Sequence, residues 1–536
     1  MPAATRIARG AGLRPQRRWL PDWFDAGVLV ALLLLSVMVA GYEIWQARLH
    51  HLVWTGGDGL IPMDDLQYLS WIRDVSRHFL ASDLFVLRAT HHDYIEPLVG
   101  VAGGLTALGL APKYALLLLT PPIVLGLFFA VRAYSRVMVA GLWERRIVLL
   151  IAFFFGSFGL IQDNWLPFLT WGYLPAAGAI AAVVAALVAY DRARTTGRWL
   201  WLPGLLGLLA SWLHPWQGEE LLLLLVGAEM VLRWRPSLIA GSEPTELALP
   251  LITVAATLLP LIYYLGLDRL DPIWTLGSQA AALHRPLPAL LVGFVPLLVA
   301  AAFAYRVKPT SFAQLATMVW PLAALVVYGL CEAGLGSTPL HAFGGLTIPL
   351  AALAVIGWRN SPFNGWTRDR RLIVLLVVAV TVPASIVQVA RVPGIVGVSV
   401  HHLDFISLGD QRAIQYLADD PQPGGVLAPF NVGAVVPSET DRRSYDGDLF
   451  WSVPHEAQRN RLAALLFSGK LPKQEALALV RHSGARFLFA PCNLRGDMWH
   501  IVGRLIIRAH RFGCATIYIL GSRTTDGRDV VSVRGR

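Results

Sequence analysis

Two adjacent acids, Asp64 and Asp65, stand just after Pro62 and ahead of Leu66, Leu69, Ile72 and Val75, which recur at a helical period. A carboxylate held at such a place can act as general base on an acceptor hydroxyl. The plain structural explanation is a helix start, with Asp64 as N-cap and Asp65 in the first turn, where negative charge suits the helix dipole. The pair sits in a polar stretch, residues 56–97, that also holds Asp58, Asp74, Asp83, Asp93, Glu96, His91 and His92.

Other residues of this kind follow at intervals. His91, His92, Asp93 and Glu96 place two histidines and two acids within six residues. Such a run suits a divalent metal, and equally a loop anchored by hydrogen bonds. Asp163, between Gln162 and Trp165, is either a further site acid or part of an ordinary interfacial loop whose Trp joins an aromatic belt. His214 and Glu219 flank Pro215 and Gly218 at membrane depth, where ionisable groups mark functional cavities and broken helices line them. Arg285, beside His284, can meet a phosphate, and Glu332 is a weaker case of the same kind.

These residues are carried by a very apolar chain. Of 536 residues, 55% are hydrophobic and 15% charged, where a soluble protein has about 25% charged. Mean hydropathy is +0.54. Apolar runs near membrane-spanning length predict about eleven spans, at 27–47, 114–134, 146–161, 173–190, 199–213, 218–233, 247–265, 286–305, 313–332, 340–357 and 372–390. A basic front (Arg6, Arg9, Arg14, Arg17 and Arg18) without a small-residue cleavage site predicts a retained first helix.

The net charge of +10 resides in clusters between spans, as topology signals do, and this placement argues against nucleic acid as a partner. Arg132, Arg136, Arg145 and Arg146 form one such cluster, and Arg192, Arg194 and Arg198 the next. Arg233 with Arg235, Arg306 with Lys308, and Arg359 with Arg368, Arg370 and Arg371 complete the series, while loops 161–172, 214–218 and 333–339 carry no Lys or Arg. The asymmetry predicts a cytoplasmic N-terminus, residues 1–26. A large first outer loop, 48–113, then carries the acid pair, and the chain after Arg391 lies outside. The helix opening at Asp64 is expected to lie flat on the membrane, with Leu and Trp side chains down and Arg73, Asp74 and Arg77 up.

After the transmembrane part, 27–391, residues 392–536 have the composition of a small extracytoplasmic α/β domain. Gly424–Phe430, Ala485–Pro491 and Cys514–Leu520 predict strands, Asn460–Val480 a helix, and Val426 to Tyr445 a strand, loop and strand. The cysteines, Cys331, Cys492 and Cys514, match no zinc or redox spacing, and the last two suit a disulfide if that domain is outside.

An acid pair just after the first span, with Tyr68 three residues beyond it, resembles the D-E-x-x-Y type of motif of the GT-C membrane glycosyltransferases, a superfamily that includes protein O-mannosyltransferases, aminoarabinose transferases and oligosaccharyltransferase catalytic subunits. Glu96-Pro97-Leu98 to Leu110 is similar to the short apolar helix that closes the first outer loop in that family. The resemblance implies a helical GT-C bundle in the plasma membrane. It implies inverting transfer of a sugar from a polyprenyl-phosphate donor to a glycan, lipid or protein acceptor at the outer face. Asp64 would be the base and Asp65 the acid that orients it or the acceptor. Tyr68, His91, His92, Asp93, Glu96, Asp163, His214, Glu219 and Arg285 would line the substrate site. This chain departs from the pattern at Asp65, where many members have Glu, and at Gln67, where some have a basic residue. No cofactor is implied with certainty beyond a divalent metal that the acids and histidines could hold.

Two other classes stand against this. A transporter or lipid flippase should show internal repeats and mid-membrane ionisable groups. A cell-envelope assembly protein could keep such a fold without the chemistry. P-loop, dinucleotide and nucleophile-elbow motifs do not occur in the sequence, which removes support for nucleotide-driven and serine-hydrolase functions.

Overall fold

The structure is a computed structural model that describes residues 21–59, 61–156, 165–239, 247–281, 286–362, 370–494 and 496–521. Among the described residues, six helices are long and apolar enough to cross a membrane: Pro112–Met138, Leu174–Thr196, Ala248–Leu270, Phe312–Glu332, Pro339–Arg359 and Arg371–Ile395. A bent pair, α1 (Trp23–Ser36) and α2 (Met38–Leu49), which meet at 40°, is long and apolar enough only when taken together. The bend has a local cause, because the Ser36 hydroxyl donates back to the Leu33 carbonyl at 2.8 Å. The Leu35 carbonyl near the break is taken by the Trp171 indole N–H.

The other four predicted spans are helical but shorter or more charged. Leu142–Phe154 and Leu202–Leu213 have 13 and 12 residues, and Pro215–Trp234 carries Glu219, Glu220, Glu229 and Arg233. The eighth predicted run, 286–305, divides into Leu287–Val292 and Val295–Ala302 around Gly293. Several arginines expected between spans are paired in the fold, Arg132 with Asp25 at 2.6 Å, Arg146 with Asp22 at 2.8 Å, and Arg194 with Glu229.

Between α2 and the second span lie β1 (Leu52–Trp54), α3 (Pro62–His78) and α4 (Pro97–Ala107), followed by α5 (Pro112–Met138). β1 pairs antiparallel with β2 (Phe405–Ser407), Val53 opposite Ile406, and so ties the first loop to the C-terminal part. That part contains a four-stranded sheet in the order β3 (Val426–Leu427), β4 (Phe487–Ala490), β6 (Ala515–Leu520), β5 (Ile506–Phe512). β3 and β4 are parallel and the remaining neighbours antiparallel. Cys492 and Cys514 are disulfide-bonded.

Several local expectations are corrected. α3 starts at Pro62, whose fixed φ suits the first helical position, so Ile61 is the N-cap and Asp64 and Asp65 both lie in the first turn. α3 does not lie flat with one face free, because it packs between α4 and the C-terminal helix Phe430–Thr440. Asp65, Leu66, Gln67, Leu69, Ser70, Trp71, Ile72 and Asp74 are all buried as a result. The strand, loop and strand expected from Val426 to Tyr445 is instead a short strand and that helix, with only a single bridge from Val426 to Ser444. Asn460–Val480 is two helices, Glu456–Phe467 and Lys473–Ser483, separated at Gly469.

Candidate active site

The first turn of α3 presents its two acids to different surroundings. Asp64 is half-buried, and its Oδ2 accepts a 2.7 Å hydrogen bond from the Tyr173 hydroxyl at the start of the Leu174–Thr196 span. Burial raises the pKa of the Asp64 carboxyl, and the Tyr173 hydrogen bond opposes the rise. The Tyr173 ring lies 5.6 Å from His341, and His341 lies 5.0 Å from His214 and 4.7 Å from Trp216. His214 Nδ1 meets Gln217 Oε1, and Gln217 Nε2 donates to the His341 carbonyl at 3.1 Å. Ring contacts thus link Tyr173, hydrogen-bonded to Asp64, through His341 to His214, each at the end of a helix.

Asp65 faces the other way and is buried. Its Oδ2 accepts from the Asp58 N–H at 2.7 Å. Its carboxyl is pushed well up, first by burial and then by the charge of Asp58, with the Asp58 N–H acting against both. Gly172, at φ 129°, passes so close that an added Cβ would sit 2.7 Å from Asp65 Oδ1. Nearby, Glu43 accepts from the Trp54 indole at 2.9 Å and from the Gly59 N–H, and Asp404 pairs with His402 at 2.6 Å. Burial raises the Asp404 carboxyl, and its contact with His402 opposes this. A small cleft of about 50 Å³ opens here, lined by Glu43, Trp54, Asp58, Asp65, Lys113 and Thr170 among others. Lys113 Nζ donates to the Trp54 carbonyl at 3.2 Å and pairs with Glu439 of the C-terminal part at 2.9 Å.

The C-terminal part also brings a buried acid within electrostatic reach of Asp64. Asp448 is buried and accepts from the Phe450 and Trp451 N–H groups at 2.7 and 3.0 Å. Its carboxyl is raised well up by burial, with the charge of Asp64 adding to the effect. Trp451 packs on Trp71 and Trp274 at 5.6 and 4.5 Å, and Tyr94 stacks on Trp274 at 4.5 Å, which roofs α3 with aromatic rings. Tyr68 is half-buried, 5.5 Å from Trp71, and its phenol is raised by burial and then by Glu96.

The run from His91 to Glu96 does not converge on one point. His91 is exposed, and His92 turns to Asp74 at 3.3 Å. Asp93 lies toward Asp271 and Trp274. Glu96 is the buried N-cap of α4, accepting from Leu98 and Val99 N–H at 3.1 and 2.9 Å, with burial pushing its carboxyl up to about 8. The hydrogen-bond account therefore holds for Glu96. Glu219 is half-buried one turn beyond His214 and lies toward Cys331. Asp163 and Arg285 lie outside the described residues.

Sequence reasoning missed Tyr173, His341, Asp404, His402 and Asp448. His341 opens a predicted span as His214 closes one, so the same argument could have found it. Asp448 carries no local signal, since it becomes a neighbour of Asp64 only through the tertiary fold.

No known family profile matches the chain, and no curated protein matches it in sequence. Its fold is nonetheless shared with the oligosaccharyltransferase of Archaeoglobus fulgidus. The crystal structure of that protein in complex with zinc and sulfate superposes with a TM-score of 0.55 at 13% identity, covering 86% of this chain and 67% of the other. Its complex with an inhibitory peptide and a dolichol-phosphate gives 0.54 at 13%, covering 88% and 70%. The form tethered by a disulfide to an acceptor peptide containing the NVT sequon gives 0.54 at 14%, covering 89% and 70%. At such identities the likeness establishes the fold alone, a mainly helical bundle with membrane-length helices and a C-terminal α/β part.

Proposed function

We propose that the chain is a membrane glycosyltransferase that moves a sugar from a polyprenyl-phosphate-linked donor to an acceptor at the outer face of the plasma membrane, with Asp64 as general base. The observation that carries this is the setting of Asp64. It is the half-buried acid of the pair, hydrogen-bonded to Tyr173, whose ring packs on His341 beside His214, and its charge acts on the buried Asp448 of the C-terminal part. The shared fold supports the choice of chemistry, since solved structures of it hold a dolichol-phosphate and an acceptor peptide.

In this reading the acceptor's nucleophilic atom attacks the anomeric carbon from the face opposite the lipid phosphate. The bond to the phosphate oxygen breaks, the phosphate departs with the electron pair, and Asp64 Oδ takes the acceptor's proton. Burial makes the carboxylate a stronger base than a solvated Asp, while the Tyr173 hydrogen bond keeps it available in its charged form. Asp65 serves as a positioning residue. It holds the Asp58 loop against the start of α3 and so sets where Asp64 points. His214 and His341 are proposed to line the donor or acceptor path, and Tyr68 to pack against it.

Around Asp64 the described residues do not gather three metal ligands. Asp163, the further acid expected there, is outside them. The test is Asp64→Asn assayed for transfer of radiolabelled sugar in membranes. Loss of transfer by about 10²–10⁴-fold with normal expression is expected, and retained transfer would remove Asp64 as base.

A further inference from the structure

We infer that Asp74, His78 and His92 form a binding site for one divalent transition-metal ion of the zinc class, distinct from the Asp64 site. A carboxylate oxygen of Asp74 and one nitrogen of each imidazole all lie within 4.8 Å of one another. This cluster is near the far end of α3, roughly 15 Å along the helix from Asp64 at about 1.5 Å per residue.

The geometry is built by the fold. Asp74 and His78 are one helical turn apart and therefore share a face of α3. The chain leaves the helix through Phe79, at φ 66°, a left-handed conformation that a bulky residue adopts only under tertiary constraint. It then returns so that Ala81 bridges Tyr94, which brings His92 back over Asp74. Asp74 Oδ1 is 2.7 Å from His78 Nδ1, Asp74 Oδ2 is 3.3 Å from His92 Nδ1, and the two rings are 4.4 Å apart. A tetrahedral ion with bonds of about 2.0–2.2 Å has ligand–ligand edges of roughly 3.3 Å, so these separations need little adjustment.

The surroundings fit a metal better than a chance contact. Asp74 is 1% exposed, and its Oδ2 is fixed by the Ser82 N–H and hydroxyl at 2.6 and 2.9 Å, the kind of outer support that orients metal-binding carboxylates. The imidazoles are 46% and 36% exposed, leaving an approach from solvent and room for a water as fourth ligand. His92 Nδ1 donates to the Leu80 carbonyl at 3.1 Å, a hydrogen bond that an ion at that nitrogen would replace. Two imidazoles and one carboxylate favour zinc-class ions over calcium or magnesium, which prefer all-oxygen shells. Nearby charge is mixed: Arg77 is paired to Asp441 at 3.0 Å, and Arg443 also acts on Asp74. An ion here would lock the return loop onto α3, the helix that carries the acid pair at its other end.

The test uses the full chain in detergent, stripped with chelator and titrated with Zn²⁺ alone, reading bound zinc by elemental analysis and thermal unfolding in parallel. Both histidines are exposed, so the alanine variants should fold. The wild type is expected to hold one more equivalent of zinc than His78→Ala/His92→Ala, and only the wild type should gain melting temperature from that equivalent. Ser82→Ala should weaken the extra site by about 10–100-fold. Zinc bound elsewhere would leave wild type and variant equal. Equal stoichiometry, or equal thermal response, means a hydrogen-bonded cluster only and overturns the inference.

Discussion

The Tyr173 hydroxyl donates a 2.7 Å hydrogen bond to Asp64 Oδ2, linking residues 109 positions apart, one at the head of a membrane span and one in the first turn of a loop helix. The bond lowers a carboxyl that burial raises, so Tyr173 tunes the group proposed as base. Tyr173→Phe keeps the ring against His341 and removes only the donor. The Asp64 carboxyl should then rise further, and the acid limb of a transfer pH profile should move to higher pH with a near-normal alkaline plateau. Superimposable profiles would separate Tyr173 from the base.

The two acids of the pair should respond differently. Asp64→Asn should abolish transfer with little change in melting temperature, because its partner is a hydroxyl that can still hydrogen-bond. Asp65→Leu should instead destabilise the fold, by about 1–3 kcal/mol, because it strands the buried Asp58 N–H. Denaturation of both variants, measured beside transfer, distinguishes the roles, and the opposite pattern would exchange them.

Gly172 has no room for a side chain. At φ 129°, an added Cβ would meet Asp65 Oδ1 and Ile61 Cδ1, both at 2.7 Å. Gly172→Ala should cost about 1–3 kcal/mol in backbone strain alone. It should also lower transfer by displacing Asp65 and, through it, the start of α3. An unchanged melting temperature would show that the two segments are not held as closely as the structure has them.

Glu96 gives a pH signature. Its folded-state value of about 8 lies above the ordinary glutamate value of 4.5, so the folded chain holds the proton more tightly than the unfolded one. The stability this contributes is complete below about 4.5 and is lost as pH rises through 8, at about 1.4 kcal/mol per pH unit within that window. Glu96→Gln keeps one oxygen for the cap and cannot ionise. It should flatten that part of the stability curve relative to wild type, as measured by denaturant unfolding at pH 5, 6, 7 and 8. Parallel curves would mean Glu96 is solvated.

The helical membrane class could be determined from the sequence alone, because apolar runs of spanning length and low charge leave few other solutions for 536 residues. The acid pair and its helix were legible for a similar reason: Pro62 and the Leu66-Leu69-Ile72-Val75 period are local signals, and the helix only starts three residues earlier, with Ile61 and not Asp64 as N-cap. What the helix packs against was not legible. Its apolar face and a membrane surface match as well as its apolar face and another protein layer, and only the tertiary fold, with Phe430–Thr440 on one side and α4 on the other, decides between them. The same limit applies to the site. Asp65 and Asp64 are adjacent in sequence, yet one is sealed beneath Gly172 and the other meets Tyr173, because successive helical residues point about 100° apart into whatever the rest of the chain has placed there. His92 joins Asp74 and not its sequence neighbours for the same reason: the return of the loop, not the spacing of residues along it, sets which side chains share a space.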